Sequence, residues 1–205
     1  LARMQPTAGW GGDMMVAGQL RMRHNRQQPW QVDAFLARQG GDLTLSEPAI
    51  VGGSVQSLGI RQARLELKAK EGVWSLVEQL EGRVLGTITG QQTVRSSSPE
   101  RLPALADRVS GALDVKIGNL RPWGVWAPAG WRLSGQMAGQ AAISGTLGAP
   151  EYQGQLSGQN LGAVHTLLGV NITDGQLLLT LQGDHARLTK FTAKGEYRPD
   201  SAAID

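Results

Sequence analysis

The chain has 205 residues, enough for one large domain or two small ones around a buried core. Lys and Arg total 20 against 17 Asp and Glu, a net charge of +3 with the cations scattered, so no nucleic-acid signature is present. With no cysteine, disulfide scaffolds, zinc ribbons and thiol catalysis are excluded, and no apolar run reaches the ~20 residues of a membrane-spanning helix.

Glycine stands at 28 residues, about twice ordinary usage, and six of the ten aromatic residues are Trp, a composition of strands and turns. No charged n-region with an apolar h-region opens the chain. Its start at Leu1 reads as a cut from a longer protein, with any anchor or targeting signal expected upstream.

In chain order, Leu20 and Met22 alternate with Arg21 and Arg23, the first half-buried strand. The cluster Arg21, Arg23, His24 and Arg26 reads as a solvated strand edge, with headgroup contact as the alternative. After a polar turn at Asn25 to Gln28, Ala63, Leu65, Leu67 and Ala69 alternate with Arg64, Glu66, Lys68 and Lys70, and Lys70-Glu71-Gly72 turns the chain. Ser98 as cap, Pro99 in the first turn, Glu100 and the stripe Leu102, Leu105, Ala106 and Val109 predict a helix that ends before Gly111. Ser96-Ser97-Ser98-Pro99 is the best candidate boundary, yet the pattern on both sides is so alike that residues 1–205 read as one unit, with a subdivision near 96–99 as the option.

Leu113, Val115 and Ile117 continue the series, and Arg121 to Pro128 reads as a loop or short helical turn carrying Trp123 and Trp126. From Trp131 to Leu147 the period is two: Trp131, Leu133, Gly135, Met137, Gly139, Ala141, Ile143, Gly145 and Leu147 face one way, Arg132, Ser134, Gln136 and Gln140 the other. Gly148-Ala149-Pro150 turns into a strand holding Leu156; a second helical turn is an option near Asn160 to Leu168. Leu177, Leu179 and Leu181 form a further strand before the turn Gln182 to His185. The whole reads as an antiparallel meander with loose repetition and no sharp repeat motif.

No catalytic constellation emerges. His24, His165 and His185 lie far apart and read as ordinary surface or loop residues. Asp13, Asp42, Glu47, Asp174 and Asp184 occur singly in turns, where Asp satisfies local backbone donors. Ser96 to Ser98 lack the Gly-x-Ser-x-Gly context of a nucleophile, and Gly145-Thr146-Leu147-Gly148 lacks the lysine of a phosphate loop. Trp10, Trp30, Trp74, Trp123, Trp126 and Trp131 are not interleaved with a basic groove and read as core or groove wall. Neither metal, cofactor nor enzymatic activity is expected.

Gly145-Thr146-Leu147, then the turn residue Pro150, then Gly154-Gln155-Leu156 resemble the TamB family of bacterial envelope proteins. Ile117 to Leu120, Gly169 to Gly175 and Leu188 to Gly195 continue the resemblance, which is good over about residues 110–197 and weaker over 14–95. The Trp123 to Trp131 stretch is bulkier than the family pattern. The resemblance implies a periplasmic, non-enzymatic piece of a Gram-negative protein held in the inner membrane by a single N-terminal helix. It also implies an outer-membrane barrel partner of the TamA or BamA type and a role in phospholipid transport and in assembly of outer-membrane proteins and autotransporters. Membrane contact would lie in parts outside this sequence.

The expected fold is therefore all-β: an elongated, curled antiparallel sheet, a β-taco with an open apolar groove, plus one short helix. Leu20, Met22, Leu65, Leu67, Leu113, Val115, Ile117, Leu133, Met137, Ile143, Leu147, Leu156, Leu177, Leu179 and Leu181 are the candidate groove-lining residues for phospholipid acyl chains. Gly135, Gly139, Ala141 and Gly145 are read as vacancies against the groove wall, with curvature in a closed sandwich as the alternative. A β-augmentation chaperone for nascent outer-membrane strands is the competing function.

Overall fold

The computed structural model describes residues 9–25, 27–46, 55–128 and 130–197. Alternation builds nearly all of it. Ten strands form one antiparallel sheet that is curled but not closed: β2 (Met15–Asn25), β3 (Gln28–Gly40), β6 (Ile60–Lys70), β7 (Val73–Gly82), β8 (Gly86–Arg95), β9 (Arg108–Ile117), β10 (Trp131–Thr146), β11 (Ala149–His165), β12 (Val170–Gly183) and β13 (His185–Tyr197). Their order across the sheet follows the chain, so among the described residues β2 and β13 are its free edges. The sheet runs unbroken through the proposed subdivision, because β8 and β9 pair in register from Thr87↔Lys116 to Arg95↔Arg108.

Three short strands, β1 (Gly9–Gly12), β4 (Leu43–Ser46) and β5 (Val55–Ser57), make a small second sheet at one corner. Leu58, only 1% exposed, and Ile60 form the core there, with Trp10, Met14, Leu43, Ala63, Leu80 and Leu85 packed around them. Asp42 ties this corner together: its carboxylate accepts the backbone N–H of Leu43 at 2.9 Å, of Gly59 at 2.7 Å and of Ile60 at 2.9 Å, and the Ser57 hydroxyl. Burial pulls its pKa up, but the Ser57 and backbone donors outweigh that and leave it lowered. Thus Asp42 and Asp13, which accepts the Asp42 N–H at 2.9 Å, act as turn residues as expected, while Glu47 lies outside the described residues.

The β6–β7 hairpin turns on Glu71 (φ 52) and Gly72 (φ 76), the two positive φ values of a type I′ connection. Residues 98–109 are not a helix. Pro103 removes a backbone donor and biases Leu102 away from the helical region, and the Asp107 carboxylate takes Ser97 N–H at 2.9 Å and Ala104 N–H at 2.8 Å instead. Helix is confined, among the described residues, to one 3-10 turn at Arg121–Trp126, where the short helical turn was expected. Asn160 to Leu168 is also not helical: β11 continues to His165 and a turn follows. Leu147 lies in the turn after β10, which stops at Thr146.

The ten-stranded sheet does not close on itself, and the other sheet among the described residues is the three-stranded one at the corner.

Candidate functional site

Cross-strand partners in an antiparallel pair point to the same face, so the register assigns a face to every position. One transverse row reads Gly18, Leu36, Leu65, Glu78, Gly90, Leu113, Ala141, Gly154, Leu181 and Ala186 from β2 to β13. Stepping by two from that row collects the apolar set. Leu20 pairs Ala34, which pairs Leu67, which pairs Leu76. Met22 pairs Val32 and Val32 pairs Ala69. Ile117 pairs Met137, which pairs Gly158, which pairs Leu177; Val115 pairs Gly139, opposite Leu156 and then Leu179. Ile143 and Leu133 fall on the same face of β10.

Fourteen of the fifteen candidate residues therefore share one face, and Leu147 in its turn is the one that does not belong to a strand row. Burial grades along that face. Leu20 and Met22 on the free edge are 65% and 58% exposed, and Leu65 is also exposed. Leu67, Leu113, Val115, Ile117, Met137, Ile143, Leu156, Leu177, Leu179 and Leu181 are half-buried, as is Leu133, which has Gly124 of the 3-10 turn beside it. The opposite face carries Arg21, Asp33, Lys68, Thr93, Gln140, Gln155 and Thr180.

The glycines are not vacancies. A Cβ on Gly139 would stand 2.8 Å from Leu156 Cδ1, and one on Gly145 2.7 Å from the Ala149 carbonyl oxygen. Gly135 (φ 103) lies opposite Asn160 (φ 49) at a bulge, where its Cβ would meet the Asn160 carbonyl at 2.6 Å. Neighbouring strands and leucines already fill these places, so the glycines permit curvature and close approach in a sheet that is nevertheless not closed.

One concavity lies on this face and a larger one on the opposite face. An apolar pocket of about 220 Å³ near the β2 edge is lined by Met14, Val16, Leu36, Ala63, Leu65 and Leu80. A larger open trough of about 1080 Å³ crosses the opposite, polar face from β7 to β12, walled by Gln79, Gln91, Gln140, Gln153 and Gln155, with the central row contributing only its floor. That trough is amide-rich rather than purely apolar.

Sequence reasoning misses Glu78, the carboxylate of the central row. Its Oε1 accepts the Gln92 amide at 2.6 Å and fills the place a side chain at Gly90 would take, while Glu78 Oε2 and Gln92 Oε1 are buried without a hydrogen-bond partner. An acid and an amide thus interrupt the apolar face between β7 and β8, and only cross-strand register reveals that they meet.

The histidines differ in kind. His24 stacks on Trp30 with centroids 4.0 Å apart, and His185 stands by Asp184 at 2.9 Å, both exposed. His165, by contrast, is buried: Trp131 meets it edge-on at 5.3 Å and its Nδ1 accepts the Leu168 N–H at 3.1 Å. It is a packing residue at the end of β11, not a surface one. Trp10 and Trp74 sit in the corner core and on the apolar face, while the Trp126 side chain and Arg26 lie outside the described residues.

Among the described residues no three His, Cys, Asp or Glu are grouped to hold a metal, and no helix is long and apolar enough to cross a membrane. No family model, curated protein or solved structure matches the chain.

Proposed function

We propose that this chain is a non-enzymatic envelope protein whose apolar sheet face holds phospholipid acyl chains and passes them between the inner and outer membranes. The observation that carries this reading is the register: ten strands bring their apolar positions to one face, and the second sheet among the described residues lies only at one corner. At roughly 25 cal/mol per Å², each 100 Å² of such surface left in water costs about 2.5 kcal/mol, so an apolar occupant is favoured. A periplasmic location, a TamA or BamA type barrel partner and a link to outer-membrane protein and autotransporter assembly accompany this reading through the TamB resemblance.

A photo-crosslinking residue at Met137 or Leu179 tests it in cells. Covalent phospholipid adducts at both positions are expected; adducts with protein alone would overturn it.

The free edges favour a second reading, strand addition by a nascent outer-membrane protein. β13 is the candidate edge, with Leu188 and Phe191 both 56% exposed. A proline in β13 should then abolish client binding while Leu179→Asp leaves it intact; the reverse pattern returns the function to the apolar face.

A further inference from the structure

We infer that one turn end of the sheet, built around residues 96–107, docks onto an anionic lipid surface. The loop is firmly held: Ser96 N–H bonds the Gly72 carbonyl at 2.8 Å, Trp30 N–H the Pro99 carbonyl at 3.2 Å, and Gly148 N–H the Leu105 carbonyl at 2.7 Å. Asp107, 3% exposed, ties Ser97 to Ala104 from inside. So constrained, the loop holds Leu102 and Leu105 outward, 59% and 72% exposed.

Cations flank them. Arg95 and Arg108 are direct cross-strand partners at the ends of β8 and β9, and Arg101 lies in the loop between. Like charges directly opposite are unfavourable in a sheet, and none of the three forms an ion pair with a carboxylate among the described residues. An anionic partner removes that cost. Along the same end the row continues through Lys70 to Arg23 on the free edge, six strands or about 24 Å at ~4.8 Å per strand. Glu100 beside Arg101 and Glu71, 3.9 Å from Lys70, offset it only in part.

Two outward leucines in a loop that carries Arg101 and is bounded by Arg95 and Arg108 fit a bilayer interface, where apolar side chains enter the acyl boundary and cations meet phosphates. A free anion or a nucleic acid would use the arginines and leave the leucines idle. This docking is independent of the groove, since it uses loop and polar-face residues.

Flotation of the whole chain with vesicles tests it. Binding to phosphatidylglycerol–phosphatidylcholine vesicles and none to phosphatidylcholine alone is expected. R95Q/R108Q should bind roughly 30-fold more weakly, at about fivefold per cation, and L102S/L105S should also lose binding, with folding checked by circular dichroism. Leu179→Asp should bind as before; its failure in lipid transport alone would bear on the groove and not on this site. Equal binding to neutral vesicles, or retention by R95Q/R108Q, would overturn the proposal. So would displacement by inorganic phosphate at constant ionic strength, or duplex DNA binding that L102S/L105S leaves unchanged.

Discussion

At one corner, three short strands adjoining the ends of β2, β3 and β6 help to bury Leu58 to 1%; between β10 and β12 the apolar face presents Leu156 and Leu179 with, among the described residues, no second sheet across it. Both regions arise from the same alternation of apolar and polar residues. The difference is that the corner has β4, β5 and the carboxylate of Asp42 to gather its core, and the open half consists only of successive hairpins. Alternation decides which residues share a face; separate polar hooks decide where a core is gathered.

The sharpest way to break this contrast is to empty the corner. Leu58→Ala should cost about 3 kcal/mol in denaturant unfolding, whereas Leu179→Ala on the open face should cost about 1 kcal/mol because less contact is lost. Equal costs would mean that the two regions are packed alike. Asp42→Ala comes next, at about 2 kcal/mol, since it leaves three backbone N–H groups of the corner without their acceptor. Hydrogen exchange should then rise at Gly59 and Ile60 and stay unchanged in β10 to β12.

The carboxylates give the same contrast a pH dependence. Asp42 and Asp107 both have pKa values lowered below 3.8; in Asp107 the backbone donor of Ala104 and the donors of Ser97 are the main cause. The unfolded chain then binds more protons in this range, so their contribution is present above about pH 4 and is lost as pH falls through the folded-state values. Acid should therefore loosen the corner and the 96–107 loop first, read as amide exchange at pH 3 against pH 6; uniform loosening would contradict this. The smallest effect belongs to the free edge: Leu20→Gln should change stability by no more than about 0.5 kcal/mol, because Leu20 is 65% exposed already.

Period two made the strands legible, from the Leu20–Met22 pair through Trp131 to Thr146 and on to Leu177–Leu181, because side-chain direction in a strand is a local property. The helix expected from Ser98 to Val109 shows where local pattern fails. Its stripe is real, but Pro103 and the inward carboxylate of Asp107 close the segment as a loop. Gly135 and Gly139 read as empty space in one dimension, whereas their neighbours across the sheet occupy it. Likewise Glu78 with Gln92, and Arg95 with Arg108, become sites only through register, which no single strand records.

Because the chain contains no cysteine, the openness of the apolar face can be measured directly by thiol labelling of Met137→Cys and Leu179→Cys, with Gln140→Cys on the polar face as reference. In lipid-free protein all three should react readily, and added phospholipid should protect positions 137 and 179 while leaving 140 reactive. Thiols at 137 and 179 that resist labelling without lipid, or that phospholipid fails to protect, would contradict an open, lipid-holding face.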